Sequence, residues 1–436
     1  MYDGHLIVVS VDALVYEDLE YAKTLPMFKK IIENGACIER VRTIYPSLTH
    51  PVHASIITGC PAGETGVVSN EIFEAGKMGR LWYNYLDQIK CETIFHAAKR
   101  AGLSTCACRW PVTACGSDVI DYLLAEVFKT DVMDYPDKPY IGYKNTGSRD
   151  NVMDIVKKGL EIYTCTNAHP AYDEMEMFCG AEIIRKYKPN VFFCHPGYVD
   201  GERHRTGLFS DEVKESIKVT DKWLGMLWDA VCDAGIEDKT DFVIISDHGH
   251  LSISRLVNPN IFLIEKGLIT VDEENKLVDW KVFIQSNALS GLVYLKDPCD
   301  KTLEADTYKM LCEMAETGIY GISQVFTKEQ AKEQFGLYGD FSFVIEGDGY
   351  SRFTEKLSGP GAEIIQKDNV KYGSSSHGHL PHRGPQPTFI AMGPSFKKGA
   401  VVAKGDILNH APTFAKILGV ELKDAKGSAV SEILNV

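Results

Sequence analysis

Short apolar runs alternate with amphipathic stretches over the first 250 residues, the pattern of an α/β fold with a largely parallel sheet. HLIVVSVD (His5–Asp12) reads as a buried strand ending at Asp12, and AKTLPMFKKIIENG as a helix stopping at Gly35. ETIFHAAKRAG predicts a helix closed by Gly102, leading into a strand LSTCACRW. EMEMFCGAEIIRKYKP predicts another helix, and NVFFCHPGYVD the strand after it, ending at Asp200. The stretch Ser210–Gly235 has a Ser cap, a long apolar stripe and a closing Gly, and the strand TDFVIISD follows it to Asp247.

From about Ile253 to Val370 the texture changes. NKLVDWKVFIQ and SGLVYLKD read as antiparallel strands, and TLEADTYKMLCEMAETG as a surface helix. The α/β pattern then resumes with a strand PTFIAMG and a helix HAPTFAKILG. The expected organisation is a catalytic core over 1–252, an inserted α+β cap over 253–370, and the rest of the core over 371–436. No internal repeat or low-complexity linker interrupts it.

Composition narrows the function. Forty-six Lys and Arg against 60 Asp and Glu give a formal charge of −14, which disfavours polymeric nucleic acid as a partner. It leaves a small phosphorylated substrate open, because a metal site overrides the global field locally. No run approaches the roughly 20 apolar residues of a membrane span. MYDGHLIVVSVD lacks the basic region and cleavage site of a signal peptide, so the twelve cysteines are expected as thiols and the protein in the cytoplasm.

Three of the expected strands end in aspartate: Asp12, Asp200 and Asp247. Ligands of doubly wound sheets bind outside the carboxyl ends of the strands, so three such carboxylates can converge on one crevice. DGERH sets His204 four residues after Asp200, one helical turn away, and SDHGH sets His248 beside Asp247. SSSHGHLPHRGPQP adds His377, His379 and His382 in a loop. Carboxylate oxygen with imidazole nitrogen suits Zn²⁺ and is acceptable to Mn²⁺ or Fe²⁺. IYPSLTHPVHASIITG (Ile44–Gly59) crowds Ser47, Thr49, His50, His53 and Ser55 together, without a G-x-S-x-G elbow or an acid in place for a triad.

In order and spacing, VSVDAL, YPSLTHPVHASIITGCPAGETGVVSN, RWP, YVDGERHRTG, ISDHGH and SHGH…PTFIAMGP resemble the nucleotide pyrophosphatase/phosphodiesterase branch of the alkaline phosphatase superfamily. The resemblance implies an alkaline-phosphatase-like α/β sandwich holding two zinc ions about 4 Å apart, as in two-metal phosphoryl-transfer sites. It implies Thr49 as nucleophile, Asp12, Thr49, Asp247 and His248 on one metal, and Asp200, His204 and His377 on the other. It also implies Asn70 as a donor to a phosphoryl oxygen.

A threonine hydroxyl needs a base or a metal to attack near neutral pH. Two Zn²⁺ carry +4 against −4 from three aspartates and a Thr49 alkoxide, so metal activation is favoured over a triad. The expected activity is hydrolysis of a small phosphodiester through a phospho-threonine intermediate. His50 stands where nucleotide-handling members place an aromatic, and Arg109 is a candidate for an anionic substrate group. Phosphonoacetate hydrolysis, with Arg109 on the carboxylate, and phosphomonoester hydrolysis are rivals on the same site. A catalytically inactive binding protein is a rival of another class. His250, His379 and His382 are expected to support the site and not to ligate.

Overall fold

The apolar run at Leu6–Val9 is buried on both faces, as a strand must be when helices cover both sides of its sheet. In the computed structural model, which describes residues 2–77, 79, 81–127, 139–163, 168–366 and 373–435, this run lies at the centre of an eight-stranded sheet. Its strands are β1 (His5–Ser10), β2 (Ala36–Arg42), β3 (Thr105–Cys108), β4 (Tyr122–Leu124), β5 (Val191–Cys194), β6 (Thr240–Ile245), β7 (Phe389–Met392) and β8 (Val401–Asp406). They lie in the order β8-β2-β7-β6-β1-β5-β3-β4. β1 pairs in parallel with β5 and β6, β3 with β4 and β5, and β2 with β8. Only β7, inserted between β2 and β6, runs antiparallel to its neighbours.

The helices follow the capping chemistry of the sequence. Pro26–Asn34 begins on a proline, and its Met27 and Phe28 N–H groups donate to Asp221 Oδ1 at 2.9 and 2.8 Å. Asp221 belongs to the long helix Asp211–Asp233, whose first turn is capped by Ser210 accepting from Val213 N. One apolar cluster fills each face of the sheet.

Between the strand pair Leu251–Ser252/Ser375–Ser376 the chain builds a four-stranded antiparallel sheet from Val282–Asn287, Ser290–Leu295, Ile322–Thr327 and Phe343–Gly347. The helix Lys301–Thr317 joins it. Leu292, Tyr294, Phe326 and Val344 of this sheet enter the same apolar cluster as Ile56 and Ile57. The insertion is thus packed onto the core. The boundary expected at residue 370 lies outside the described residues. No described helix is long and apolar enough to cross a membrane.

Three strand ends need correction. β1 and β6 stop at Ser10 and Ile245, two residues short of Asp12 and Asp247. β5 stops at Cys194, and His195-Pro196-Gly197 breaks the chain, so Asp200 sits in the first turn of the helix Tyr198–Thr206.

Candidate active site

Thr49 opens the helix Thr49–Thr58, in which every later residue is buried. Three of its ten residues, Val52, Ile56 and Ile57, are β-branched and apolar, so burial in the core holds this helix more than propensity does. Pro51 is tolerated because first-turn N–H groups have no intrahelical partner. Ser47 is committed to the backbone, its Oγ donating to His379 O (2.9 Å) and accepting from Gly378 N (3.0 Å). Thr49 Oγ1 instead lies 3.3 Å from His248 Nε2.

Around that nitrogen stand Asp247 Oδ2 at 3.2 Å and Asp12 Oδ1 at 3.6 Å. Both oxygens are buried without a hydrogen-bond partner. Burial first, then the Asp247 and Asp200 carboxylates, push the pKa of Asp12 well above the usual carboxylate range. Uncompensated buried carboxylates are costly, and a divalent cation between them removes the cost. The donor set therefore fits a metal.

A second cluster forms on Asp200. His204 and His377 donate Nδ1–H to backbone carbonyls, Ser375 O (2.8 Å) and Ser47 O (3.0 Å). Each imidazole then presents an Nε2 lone pair toward Asp200, at 3.5 and 3.9 Å. The helical pairing of Asp200 with His204 is as expected. Gly378, beside His377, has φ +95°, and a Cβ there would sit 2.0 Å from Asn287 O, so only glycine fits this approach. His248 and His377 stack at 3.8 Å, which joins the two clusters.

Asn70 Oδ1 accepts the His50 N–H at 3.0 Å, so its amide Nδ2 is the end available to a ligand. A pocket of about 370 Å³ is lined by Asn70, Trp82, His204 and His377 together with Lys77, Arg352 and Lys356. His50 does not line it. Its ring is buried edge-on against Trp82, and desolvation lowers its pKa to about 4.

Arg109 also lies elsewhere. It is buried among Glu126 (2.7 Å), Glu176 (2.8 Å) and Asp173 (3.3 Å), with Tyr172 against its guanidinium. The expectation that it meets a substrate anion is corrected by these three carboxylates, which occupy its donors. Glu126 in turn faces His195 Nδ1 (3.6 Å), and His195 Nε2 reaches Asp12 Oδ2 (3.1 Å). Burial opposes a charge on His195, but Asp12 and Glu126 outweigh it and raise its pKa to about 10. His195 was not singled out in the sequence, because nothing local marks it.

His250, expected in support, touches Asp200 Oδ1 directly at 2.7 Å and Ser375 Oγ at 2.9 Å. His379 is buried with Nδ1 on Leu380 O, while His382 is exposed.

A family model described as type I phosphodiesterase/nucleotide pyrophosphatase matches residues 6–333. The chain belongs to this family. It is similar to rat ectonucleotide pyrophosphatase/phosphodiesterase family member 1 (24% identical over 256 residues, 56% of this chain and 24% of that protein). Mouse member 7 is 22% identical over 438 residues, covering 95% of this chain and 83% of that protein. The chain thus spans about a quarter of the length of the member 1 relatives it matches. Among solved structures, an inactive threonine-to-alanine variant of murine member 5 in complex with AMP superposes with a TM-score of 0.68. It is 18% identical and covers 99% of this chain and all of that one. The fold is alkaline-phosphatase-like, with a mostly parallel central sheet flanked by helices.

Proposed function

We propose that the chain is a metal-dependent hydrolase of small phosphoric diesters with Thr49 as its nucleophile. The observation that carries this reading is the Thr49 hydroxyl 3.3 Å from His248 Nε2, a nitrogen flanked by Asp247 and Asp12, beside a second cluster on Asp200. Asp12, Thr49, Asp247 and His248 would hold one divalent cation, and Asp200, His204 and His377 a second. Zn²⁺ suits both sets, with Mn²⁺ or Fe²⁺ as alternatives. When bound, such cations would lower the pKa of the Thr49 hydroxyl and offset charge on the phosphoryl oxygens.

Thr49 Oγ1 attacks phosphorus in line, and the bond to the leaving alkoxide breaks as the threonine ester forms. Asn70 Nδ2 donates to a non-bridging oxygen, where charge gathers in the transition state. Water then attacks phosphorus, and Thr49 departs as the leaving group. The murine neighbour, inactive with threonine changed to alanine and solved with the phosphomonoester AMP, supports a threonine-dependent reaction at a site that takes a nucleotide. The part of the substrate beyond the scissile bond would meet a mixed wall of Lys77 and Lys356, paired with Glu74 (2.9 Å) and Glu363 (2.6 Å), together with Arg352, Trp82, Glu71 and Glu355. The phosphonoacetate reading loses its support, since Arg109 is buried on carboxylates away from this pocket.

Turnover of bis-p-nitrophenyl phosphate, p-nitrophenyl phosphate and phosphonoacetate by metal-reconstituted protein tests the proposal. The diester should be preferred, with Thr49→Ala lowering its kcat by about 10³-fold or more. Preference for the monoester or phosphonoacetate, or a Thr49→Ala variant that keeps most activity, would overturn it. Protein that binds no zinc or manganese and turns over none of the three would be a binding protein instead.

A further inference from the structure

Away from the pocket, Cys60, Glu64 and Cys91 bring two sulfurs and a carboxylate oxygen within 4.8 Å of one another. Cys60 follows Gly59, the left-handed residue that closes the Thr49 helix. Its buried sulfur lies 3.3 Å from the Asp424 carbonyl. Cys91 is half-buried, between Lys90, whose N–H donates to Thr65 O at 2.9 Å, and Glu92, whose N–H donates to Asp424 Oδ2 at 2.8 Å. The two thiols therefore face each other across the neck of the segment 61–90, both held against Asp424. That segment carries Asn70 and Trp82 of the pocket wall.

A metal is the weaker reading of this cluster. Glu64 is already paired with Lys426 Nζ at 3.1 Å, and an ammonium beside the ligands opposes a divalent cation. Thiol chemistry meets no such obstacle. Contact with the Cys60 thiol lowers the pKa of Cys91, and a partly exposed thiolate is the species that attacks disulfides.

We propose that Cys60 and Cys91 form a reversible disulfide that closes the neck of the loop carrying Asn70 and Trp82. The Cys91 thiolate attacks one sulfur of a low-molecular-weight disulfide such as oxidised glutathione, expelling one thiolate and leaving a mixed disulfide on Cys91. Cys60, whose sulfur lies within 4.8 Å of a Glu64 carboxylate oxygen, gives its proton to that carboxylate and attacks the Cys91 sulfur, and the bond to the carrier breaks to release the second thiolate. Two protein thiols are oxidised and one carrier disulfide is reduced to two thiols. The sulfurs, within 4.8 Å of each other, must close to about 2.05 Å. The bond would restrict the opening of residues 61–90 in the same molecule.

The full chain, equilibrated in glutathione buffers of rising oxidised fraction, alkylated and cut with trypsin, gives the test. Peptides 43–77 and 91–99 each contain a single cysteine, Cys60 and Cys91. They should become linked as the oxidised fraction rises, separate again with dithiothreitol, and in the linked protein amide exchange over 61–90 should slow. Cys91→Ser, at the more exposed position, should fold and lose both the link and the slowed exchange. Absence of the 43–77/91–99 link in fully oxidised buffer would overturn the proposal, as would a zinc ion that shields both thiols from alkylation until chelated. The linkage is read by mass, so its failure is distinct from failure of the hydrolase reading.

Discussion

Asn70 contributes one amide to the pocket, and its neighbour decides which end is offered. The His50 N–H holds Oδ1, so Nδ2 points where a phosphoryl oxygen would sit. Asn70→Ala should lower kcat on bis-p-nitrophenyl phosphate by about 10²-fold, with a smaller change in KM, because the donor matters most as charge develops. An unchanged kcat in steady-state assays would remove Asn70 from the reaction. Six of the seven residues proposed for the metals, all but Thr49, stood out in the sequence because aspartate and histidine recur in short, spaced blocks, and the fold brings their side chains together. His50 and Arg109 were misjudged for a common reason. Sequence gives a residue's place on a strand or helix but not the direction of its side chain, and Arg109 has φ +57° after β3. Its partners Glu126, Asp173 and Glu176 are distant in the chain, so no local pattern announced the burial.

Strand and helix ends set the scale at which the charges are organised. Arg109 follows β3, Glu126 follows β4, His195 follows β5 and Asp12 follows β1, so the neighbouring strand ends pass charge contacts from Arg109 to Asp12. Arg109→Met leaves three buried carboxylates without their cation and should destabilise the fold by about 3–5 kcal/mol in denaturant titrations. Glu126→Gln tests the other end of the relay. It removes a charge that holds His195 on Asp12, and should weaken Zn²⁺ binding by about 10–100-fold in competition with a chromophoric chelator while the protein stays folded. An unaltered affinity would make the relay purely structural. The buried strands β1, β5 and β6 were legible as apolar runs. β2 and β8 were not, because β2 alternates buried with exposed residues and β8 is a largely exposed edge strand reading VVAKGD. The Asp200 strand end was misplaced because Pro196 and Gly197 break a run that continues in composition but not in conformation.

Acid stability belongs to the whole molecule, because buried titratable groups of both kinds are spread through it. Desolvation lowers His410, packed against Phe389 and Phe414, to a pKa of about 3. The unfolded chain binds a proton there near pH 6.5 and the folded one does not, so this stability is present above pH 6.5 and is lost as pH falls. Asp241 acts in the opposite sense. Burial raises its pKa to about 6, so the folded chain binds its proton first. Its contribution is fully present below about pH 3.8 and is lost as pH rises through 6. His53, lowered to about 3, and His50 and His379, each lowered to about 4, side with His410. Glu346, raised to about 7, sides with Asp241. His250, lowered to about 3, adds to the lowered imidazoles, and His195 sides with the carboxyls, so the lowered imidazoles outnumber the opposing groups and stability falls between pH 7 and 5. Two variants away from Asp12 and Asp200 separate the contributions. His410→Leu should flatten the loss by about 2 kcal/mol at pH 5 relative to the parent. Asp241→Asn keeps an acceptor for the Ser395 N–H, bound at 2.9 Å, and should steepen the loss while gaining stability above pH 7. Denaturant midpoints at pH 5, 6, 7 and 8 read both slopes, and parallel curves for all three proteins would show that these groups titrate alike in the folded and unfolded chain.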